Sequence, residues 1–362
     1  MKSEHLTVLD LFAGAGGFSE GFRQMGFEIT YATDNWNPAL KTHEVNFPGT
    51  KVIKADVREL DPEQFKGVDI IIGGPPCTQF SGSNRGGKGN TDKGLELVYR
   101  FLRFVHDLKP KWWLMENVPR LEYFLPDSIP LRKLGVNKVG RFKIPRMKVL
   151  CAADYGTPQK RNRLVSGKYV IPQQTHWEDV GTSQLPGLER NRWVTMRHVL
   201  STLPDPLRGS SEAAVKDPNY ELQVPAKELT DHFMDSTMTV AEAERNKRQK
   251  VAHPYYGKMK FPDDLDRPSR TVMATQFNAS RETMVIEAKK GGKTVYRKPT
   301  IRECACFQTF PLTFQFSGGN ESTKYKLVGN AVPVKLAAAL ARAILKEEGM
   351  NPPKNPILTV RN

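Results

Sequence analysis

Short apolar runs alternate with amphipathic stretches over the first half of the chain. Runs at 6–12, 29–32, 51–54, 68–72 and 112–115 are rich in aliphatic and β-branched residues and predict buried strands. Helical patterns follow the first run and occupy 95–108, and further strands are expected at 147–153 and 164–165. This rhythm of strand and helix predicts an α/β fold with a doubly wound sheet.

The rhythm stops near residue 170. Residues 171–265 are irregular and rich in proline and polar groups, and β-like runs follow at 271–272 and 284–286. Helical patterns return at 300–310 and at 334–347, where Pro333 suits a first helical turn. We therefore predict a larger α/β domain from 1–170 and 299–362, with 171–298 as a second, smaller domain.

Glycine and acidic residues stand where the first three predicted strands end. Gly14, Gly16 and Gly17 follow the first strand, and a glycine loop between a strand and a helix suits a nucleotide-like ligand. Asp34 lies twenty residues after Gly14, the spacing at which an acid meets ribose hydroxyls in Rossmann-type sites. Asp56 follows the third strand. Each feature alone also suits a plain turn or helix cap, but together they indicate a nucleoside site at the carboxyl edge of the sheet.

Two further strand ends carry reactive groups. Cys77 follows a Gly-Gly-Pro-Pro turn after the fourth strand, and a thiol there can act as a nucleophile once deprotonated. Glu116 emerges directly from the apolar run 112–115, and partial desolvation would favour its protonated form. A half-buried loop cysteine and an exposed turn glutamate are the plainer interpretations of the same two positions.

Charge points to a polyanionic partner. The 362 residues contain 54 Lys and Arg against 39 Asp and Glu, a formal net charge of +15. Residues 132–163 hold ten basic side chains and one acidic side chain. No uninterrupted apolar run reaches membrane-spanning length, and the four cysteines match neither a disulfide framework nor a metal-ligand spacing. We expect no metal, no membrane contact and a reducing, cytoplasmic compartment.

The ordered motifs of this chain resemble those of the DNA (cytosine-5) methyltransferase family, of the prokaryotic restriction-modification type. The motifs that carry the resemblance are these: Asp-Leu-Phe-Ala-Gly-Ala-Gly-Gly at 10–17, Gly-Pro-Pro-Cys at 74–77, Glu-Asn-Val at 116–118, Gln-Lys-Arg-Asn-Arg at 159–163, Arg-Glu at 302–303, Phe-Gln at 307–308 and Gly-Asn-Ala-Val-Pro at 329–333. The resemblance implies a Rossmann-like S-adenosylmethionine-dependent sheet with a target recognition domain.

The same resemblance implies roles for individual residues. The implied catalytic set comprises the nucleophile Cys77, the base-binding Glu116 and the pair Arg161 and Arg163. The implied S-adenosylmethionine site, which would release S-adenosylhomocysteine, comprises Phe12, Gly14, Gly16, Gly17, Asp34, Asn35, Asp56, Pro76 and Asn330. Trp36 competes with Asn35 for the place over adenine. The expected DNA contacts are Ser81, Arg85, Lys88, Arg141, Lys143, Arg146 and Thr271.

The implied substrate is double-stranded DNA, methylated by a monomer close to the nucleoid. A restriction endonuclease that acts on the same site would be a functional partner but not a stable subunit. Three other interpretations remain: a transfer RNA cytosine-5 methyltransferase, a catalytically idle DNA-binding protein and a dinucleotide-dependent dehydrogenase. The first usually carries a Cys-Phe-Thr signature, the second loses its catalytic residues, and the third has a complete Gly-x-Gly-x-x-Gly loop.

Overall fold

A computed structural model of the protein describes residues 5–76, 91–179, 191–209, 213–252 and 259–358. Its strands are β1 (Thr7–Leu11), β2 (Glu28–Asp34), β3 (Lys51–Lys54), β4 (Ile70–Gly73), β5 (Trp112–Asn117), β6 (Ser128–Pro130), β7 (Arg141–Lys143), β8 (Arg146–Cys151), β9 (Asn162–Lys168), β10 (His176–Trp177), β11 (Asn191–Arg192), β12 (Ala214–Lys216), β13 (Gln223–Pro225), β14 (Ile286–Lys290) and β15 (Lys293–Arg297). Its helices are α1 (Gly17–Gln24), α2 (Asn37–Asn46), α3 (Thr91–Leu108), α4 (Met196–Thr202), α5 (Val240–Val251), α6 (Ile301–Phe307), α7 (Glu321–Asn330) and α8 (Val334–Glu347).

Packing divides the chain into two compact units. The first is formed by residues within 1–152, 162–174 and 332–358, and the second mainly by 153–161 and 175–331. The segment 299–331, which the sequence assigned to the first domain, therefore groups with the second unit. Arg302 of α6 explains this grouping, because its buried guanidinium binds both oxygens of Asp231 at 2.8 and 2.9 Å. Asp217 adds to it by accepting a hydrogen bond from the Leu312 amide at 2.7 Å.

The first unit is built on a seven-stranded sheet with the order β3-β2-β1-β4-β5-β9-β8. The strands β3, β2, β1, β4 and β5 are parallel to one another, whereas β9 runs antiparallel to both β5 and β8. The order reverses at β1, so the chain winds outward in both directions from the middle of the sheet. The predicted doubly wound α/β fold is confirmed.

Apolar packing covers this sheet. The α3 side chains of Val98, Phe101 and Leu102 are fully buried in one core cluster with Leu9 and Leu11 of β1. On α1, a Cβ at Gly21 would come within 2.4 Å of the Ala337 Cβ on α8, so the two helices meet at van der Waals contact only because residue 21 is glycine. The alanine-rich sequence of α8 thus permits close helix packing.

The second unit combines short hairpins with helices. Strands β12 and β13 pair with each other, as do β14 and β15, and both pairs are antiparallel. The α6 helix begins with the predicted capping box, in which Thr300 and Glu303 bind each other's backbone amides. Glu303 also forms a buried bidentate ion pair with Arg297 of β15, with both distances 2.7 Å. This buried carboxylate and guanidinium are therefore paired, which offsets the cost of their desolvation.

One stretch, 321–347, is long and apolar enough to cross a membrane by length and composition. It comprises α7 and α8 with a break at 331–333, and 72% of its most apolar window is buried within the protein. Core helices of globular proteins have the same property.

Candidate active site

The parallel strands of the first unit bring the predicted site residues of that unit to one edge of the sheet. Phe12 follows β1, Asp34 closes β2, and Asp56 comes shortly after β3. Gly74 follows β4, and Glu116 is the penultimate residue of β5. Because parallel strands share one direction, these five positions lie along the same carboxyl edge, where open α/β sheets bind ligands.

The loop between β1 and α1 uses backbone conformations that favour glycine. Gly14 and Gly16 have φ angles of 54° and 86°, and Phe12 also lies in the left-handed region at 60°. A Cβ on Gly16 would approach the Phe47 ring to 2.8 Å, so the protein itself requires this glycine. Among the described residues, a Cβ on Gly14 would meet only the Phe12 carbonyl oxygen, at 4.0 Å. The loop backbone at Gly14 is thus open to a ligand, whereas Gly17 is buried as the first residue of α1.

Asp34 fixes this loop to the start of α2. One carboxylate oxygen accepts a hydrogen bond from the Gly14 amide and the other from the Trp36 amide, each at 2.9 Å. Burial raises the pKa of Asp34, and these amide hydrogen bonds act against the rise. A carboxylate has about four acceptor sites, so Asp34 retains capacity for a ribose hydroxyl.

Asp10 is a functional candidate that the sequence interpretation missed. Its carboxyl is only 1% exposed at the end of β1, and the Ser19 hydroxyl donates to it at 2.6 Å. Burial raises the pKa of Asp10 to about 7, and the nearby charge of Asp34 adds to the rise. An acidic residue inside an otherwise apolar strand pattern was the available signal.

The other predicted cofactor residues of this edge are more exposed. Arg58 binds Asp56 in an ion pair at 2.6 Å, and its hydrogen bonds lower the pKa of this carboxyl to about 2. Asn35 is exposed, whereas Trp36 is half-buried immediately before α2 and offers the larger ring surface. Asp56 therefore reaches this edge already paired with a cation.

Glu116 forms an ion pair with Arg163. Their closest atoms, Oε1 and Nε, are 2.7 Å apart, and the side chains are 11% and 12% exposed. Burial lowers the pKa of Arg163, while the charge of Glu116 opposes this effect. The sequence expectation for Glu116 considered burial alone, whereas the structure also supplies a guanidinium partner. Strand β9 positions this cation next to β5.

The turn that precedes Cys77 is held beside this pair. The Asn117 side-chain amide donates to the Pro75 carbonyl at 2.9 Å, and the Glu116 carboxylate lies 3.5 Å from where a Cβ on Gly74 would stand. Pro76 is exposed. Sequence reasoning assigned no role to Asn117, although it is part of the Glu-Asn-Val motif.

Four predicted residues, namely Cys77, Ser81, Arg85 and Lys88, lie outside the described residues.

Arg161 has an environment unlike that of Arg163. It belongs to the second unit, is 3% exposed, and donates to the backbone carbonyls of Val272, Gly329 and Ala331 at 3.1, 2.8 and 3.3 Å. The sequence predicts that the two arginines form one catalytic pair. In the structure the Arg161 guanidinium binds backbone carbonyls of the second unit, as a residue that stabilises the fold does. The difference arises because Arg161 precedes β9 and Arg163 lies within it.

Two glutamines extend the contacts of Arg161 into a buried network. Gln159 accepts a hydrogen bond from the Val272 amide at 2.9 Å and donates to Gln308 at 2.8 Å. Gln308 in turn donates to the carbonyls of Val328 and Ala331 at 2.9 and 3.1 Å. We call Gln159, Arg161 and Gln308 the polar network; it joins motifs more than a hundred residues apart in sequence.

Gly329 is required where these motifs meet. A Cβ at this position would lie 2.5 Å from the Met273 carbonyl carbon, so only glycine lets the two backbones pass. Asn330, which the sequence assigns to the cofactor site, is the exposed last residue of α7 in the second unit.

Thr271 lies at the wall of a cavity of about 640 Å³ within the second unit. Lys160, Trp193 and Arg267 line the same cavity. The Trp193 ring nitrogen donates to Asp154 at 3.0 Å, and the Lys160 ammonium stands 4.9 Å from the ring centroid. The lining also contains acidic side chains, and the Lys160 ammonium pairs with Glu178 at 3.4 Å.

The three predicted DNA-contacting cations of the first unit differ in whether their side chains bind other residues of the protein. Arg141 binds the Ser128 hydroxyl and carbonyl at 2.7 and 2.6 Å, and Arg146 binds the Tyr169 carbonyl while covering the Tyr169 ring. Lys143 is exposed and, within the described part of the chain, has no carboxylate within 4 Å. It is the cation best able to meet a phosphate.

Comparison with known proteins identifies the family. The model of the C-5 cytosine-specific DNA methylases matches residues 6–346. The chain is similar to the type II methyltransferase M.MthTI of Methanothermobacter thermautotrophicus, with 30% identity across 95% of this chain and 98% of that protein. It is also similar to the type II methyltransferase M.FnuDI of Fusobacterium nucleatum, with 31% identity across 94% of each chain.

Solved structures support the fold. A mutant of Spodoptera frugiperda DNMT2 superposes with a TM-score of 0.59 at 17% identity, across 94% of this chain and 99% of that one. The Dnmt2 methyltransferase of S. pombe gives the same TM-score at 15% identity, across 96% of this chain and 100% of that one. With the family match over nearly the whole chain, these findings show that the protein is a methyltransferase and belongs to the C-5 cytosine-specific DNA methylase family.

Proposed function

We propose that this protein transfers a methyl group from S-adenosylmethionine to carbon 5 of a cytosine within one short double-stranded DNA sequence. The observation that carries the proposal is the Glu116–Arg163 ion pair at the carboxyl edge of the sheet, beside the anchored turn that leads to Cys77. The type II names of its relatives support a place in a restriction-modification system. The cognate endonuclease would then share the target sequence without forming a stable complex, and the methyltransferase would act as a cytoplasmic monomer.

The edge of the sheet fits the cofactor. Gly14 presents an open backbone, Asp34 keeps acceptor capacity for ribose hydroxyls, and Asp56 stands after the neighbouring strand. Phe12, Gly16, Gly17 and Pro76 shape the same edge, and we assign Asn35 and Asn330 to this site on the family resemblance. When bound, S-adenosylmethionine supplies an electrophilic methyl group.

Cys77 supplies the activation that cytosine needs. Carbon 5 of cytosine is a weak nucleophile, and addition of the Cys77 thiolate to carbon 6 forms a carbon–sulfur bond and moves the electron pair of the 5,6 double bond onto the ring. Carbon 5 would then take the methyl group in exchange for release of S-adenosylhomocysteine, a base would remove the proton from carbon 5, and the bond between Cys77 sulfur and carbon 6 would break to return the thiolate. The target base must leave the duplex for this attack.

Glu116 and Arg163 stabilise the adduct. We assign the Glu116 carboxyl as the donor of a hydrogen bond to ring nitrogen 3, where electron density grows when the sulfur adds to carbon 6. Arg163 holds the carboxyl group in place through a hydrogen bond of 2.7 Å to its Oε1 atom. A preformed ion pair of this kind needs little reorganisation during the reaction.

The decisive experiment incubates the protein with labelled S-adenosylmethionine and unmethylated genomic DNA, with transfer RNA in parallel, and maps the product by bisulfite sequencing. We expect 5-methylcytosine in one fixed DNA sequence. Cys77→Ser is the matched control, because it should abolish turnover and leave binding of S-adenosylmethionine near normal. Label in transfer RNA alone would overturn the DNA substrate, and cofactor binding without methylation of either nucleic acid would support the idle DNA-binding alternative.

A further inference from the structure

Phe277 is an exposed aromatic side chain in the second unit. It is 69% exposed, although an aromatic ring usually gains stability by burial. It lies six residues after Thr271, in the segment 273–283 that connects the Thr271-Val272 pair to the β14–β15 hairpin. A single exposed apolar residue needs no explanation by itself, so the backbone around it decides the matter.

The backbone on both sides of the Phe277 ring is fixed by buried polar groups. The fully buried Asn246 of α5 donates to the carbonyls of Asn278 and Ser280 at 3.0 and 2.7 Å. The fully buried Thr283 hydroxyl donates to the Phe277 carbonyl itself at 2.7 Å.

Two further contacts complete this support. The Asn278 amide donates to Glu242 of α5 at 3.2 Å, and the Gln276 amide donates to the Met273 carbonyl at 3.2 Å. These hydrogen bonds therefore hold the segment 273–283 in place, although the Phe277 side chain itself is largely exposed. Such ordering is the preorganisation that a binding residue needs, because the entropy of fixing the backbone is lost on folding rather than on binding.

The helix that holds the segment is cationic. Arg245, Lys247 and Arg248 of α5 are all exposed and flank the buried Asn246. Within the described ranges none of the three has a carboxylate within 4 Å, in contrast to Lys250 of the same helix, which pairs with Asp263 at 2.8 Å. Exposed cations on the helix that supports the segment of an exposed aromatic ring match a nucleic acid, which offers phosphates and stacked bases together.

We propose that Phe277 inserts its ring into the base stack of the DNA substrate, while Arg245, Lys247 and Arg248 contact the backbone phosphates. This inference rests on the proposed function and names a recognition element for it. An apolar wedge unstacks a base step and lowers the cost of extruding the neighbouring target base. Phe277 thereby acts as a positioning residue for DNA and does not touch the reacting atoms.

The test begins with wild-type protein on unmethylated genomic DNA, which gives the target sequence. Duplexes with that sequence then carry 2-aminopurine, a base whose fluorescence rises on unstacking, at each position around the target cytosine. The variants are Phe277→Ala, Phe277→Trp and, as matched control, Val240→Ala, which removes an exposed apolar side chain (83% exposed) at the start of the same helix. Methylation rate, DNA affinity, melting temperature and sedimentation mass are measured for each.

We expect Phe277→Ala to lower kcat/KM for DNA roughly tenfold, the effect of one lost stacking contact, with an unchanged melting temperature. It should also abolish the fluorescence rise at one position other than the target base. Phe277→Trp should retain both the wild-type kcat/KM and the fluorescence rise. Val240→Ala should behave as wild type. Equal kcat/KM and fluorescence for wild type and Phe277→Ala would overturn the inference.

Two other results would also overturn it. A lower melting temperature with unchanged activity per folded molecule would make Phe277 structural, and a change in sedimentation mass without a DNA effect would make it a contact between copies of the chain. Failure of the proposed function would appear earlier and separately, as wild-type protein that methylates no DNA.

Discussion

Arg163 and Arg161 stand two positions apart in one motif, yet they belong to different units and bind different chemical groups. Arg163 pairs with the carboxylate Glu116 at the edge of the sheet, whereas Arg161 binds three backbone carbonyls in the polar network. The first contact pairs two charges at the edge of the sheet, and the second satisfies buried backbone carbonyls where distant segments meet. A shared motif therefore does not imply a shared role.

The comparison extends to other polar groups of the first unit. Glu116 has a guanidinium partner, while the more deeply buried Asp10 has a hydroxyl partner. Arg141 and Arg146 are engaged by neighbouring residues of the protein, while Lys143 is exposed. What each side chain contacts separates the groups suited to chemistry or binding from those that hold the fold together.

The largest expected effect is on Glu116. Glu116→Gln keeps the shape of the side chain but replaces the carboxyl with an amide that is far less acidic, and we expect methylation turnover to fall about 10³-fold, as for loss of a group that stabilises developing charge. Rates are measured under single-turnover conditions at a temperature where circular dichroism shows the variant folded, because Arg163 loses its partner. Turnover within tenfold of wild type would remove Glu116 from the catalytic set.

The second prediction separates the two arginines. Arg161→Met should lower the free energy of unfolding by about 3 kcal/mol, because the Val272 and Gly329 carbonyls lose their Arg161 donor and the Ala331 carbonyl keeps only Gln308, while activity per folded molecule stays near normal. Arg163→Met is the matched variant, and its loss of turnover should exceed any effect of its unfolded fraction. Urea unfolding and initial rates on the same samples provide both numbers. If Arg161→Met lowered the rate per folded molecule more than its loss of stability explains, the predicted catalytic pair of Arg161 and Arg163 would stand.

The third prediction concerns the pH dependence that follows from Asp10. Its pKa is about 7 in the folded protein and 3.8 when unperturbed, so the folded state holds this proton more tightly than the unfolded state. The resulting stabilisation is complete below pH 3.8 and is lost as the pH rises toward 7. Asp10→Asn, which still accepts from Ser19, should therefore gain roughly 2–4 kcal/mol relative to wild type between pH 5 and pH 8.

Urea unfolding of both proteins at the two pH values gives this difference. Asp34→Asn serves as a comparison, since amide hydrogen bonds counteract the effect of burial on that carboxyl. An equal difference in stability at pH 5 and pH 8 would show that Asp10 is ionised in the folded protein.

The smallest effect should come from Lys143. Lys143→Gln should reduce the slope of log affinity for DNA against log salt by about 0.9, the value for one phosphate contact. Combined neutralisation of Arg141, Lys143 and Arg146 should weaken binding further. The change in slope should be less than three times that of Lys143→Gln, because the two arginines have protein partners. Filter binding across a range of salt concentrations measures the slopes. An unchanged slope in both variants would leave this block as a solvated face.

The sequence by itself determined the class of fold and predicted where the site lies. Apolar runs separated by helical patterns were enough to predict the doubly wound sheet, because the periodicity of buried apolar residues is a local signal. Glycine after β1 and acidic residues after β2 and β3 predicted a ligand-binding edge, and the structure brings these strand ends to one edge because the strands are parallel. The catalytic roles of Cys77 and Glu116 remain predictions from their positions at strand ends and their motifs.

Only the tertiary structure decided how the polar residues are used. The pairing of Glu116 with Arg163 depends on the antiparallel register of β9 against β5, which no local pattern encodes. The polar network depends on contacts across more than a hundred residues, and so does the grouping of 299–331 with the second unit. The ionisation of a side chain follows from its neighbours in space, and sequence neighbours reveal these only within one helix or strand.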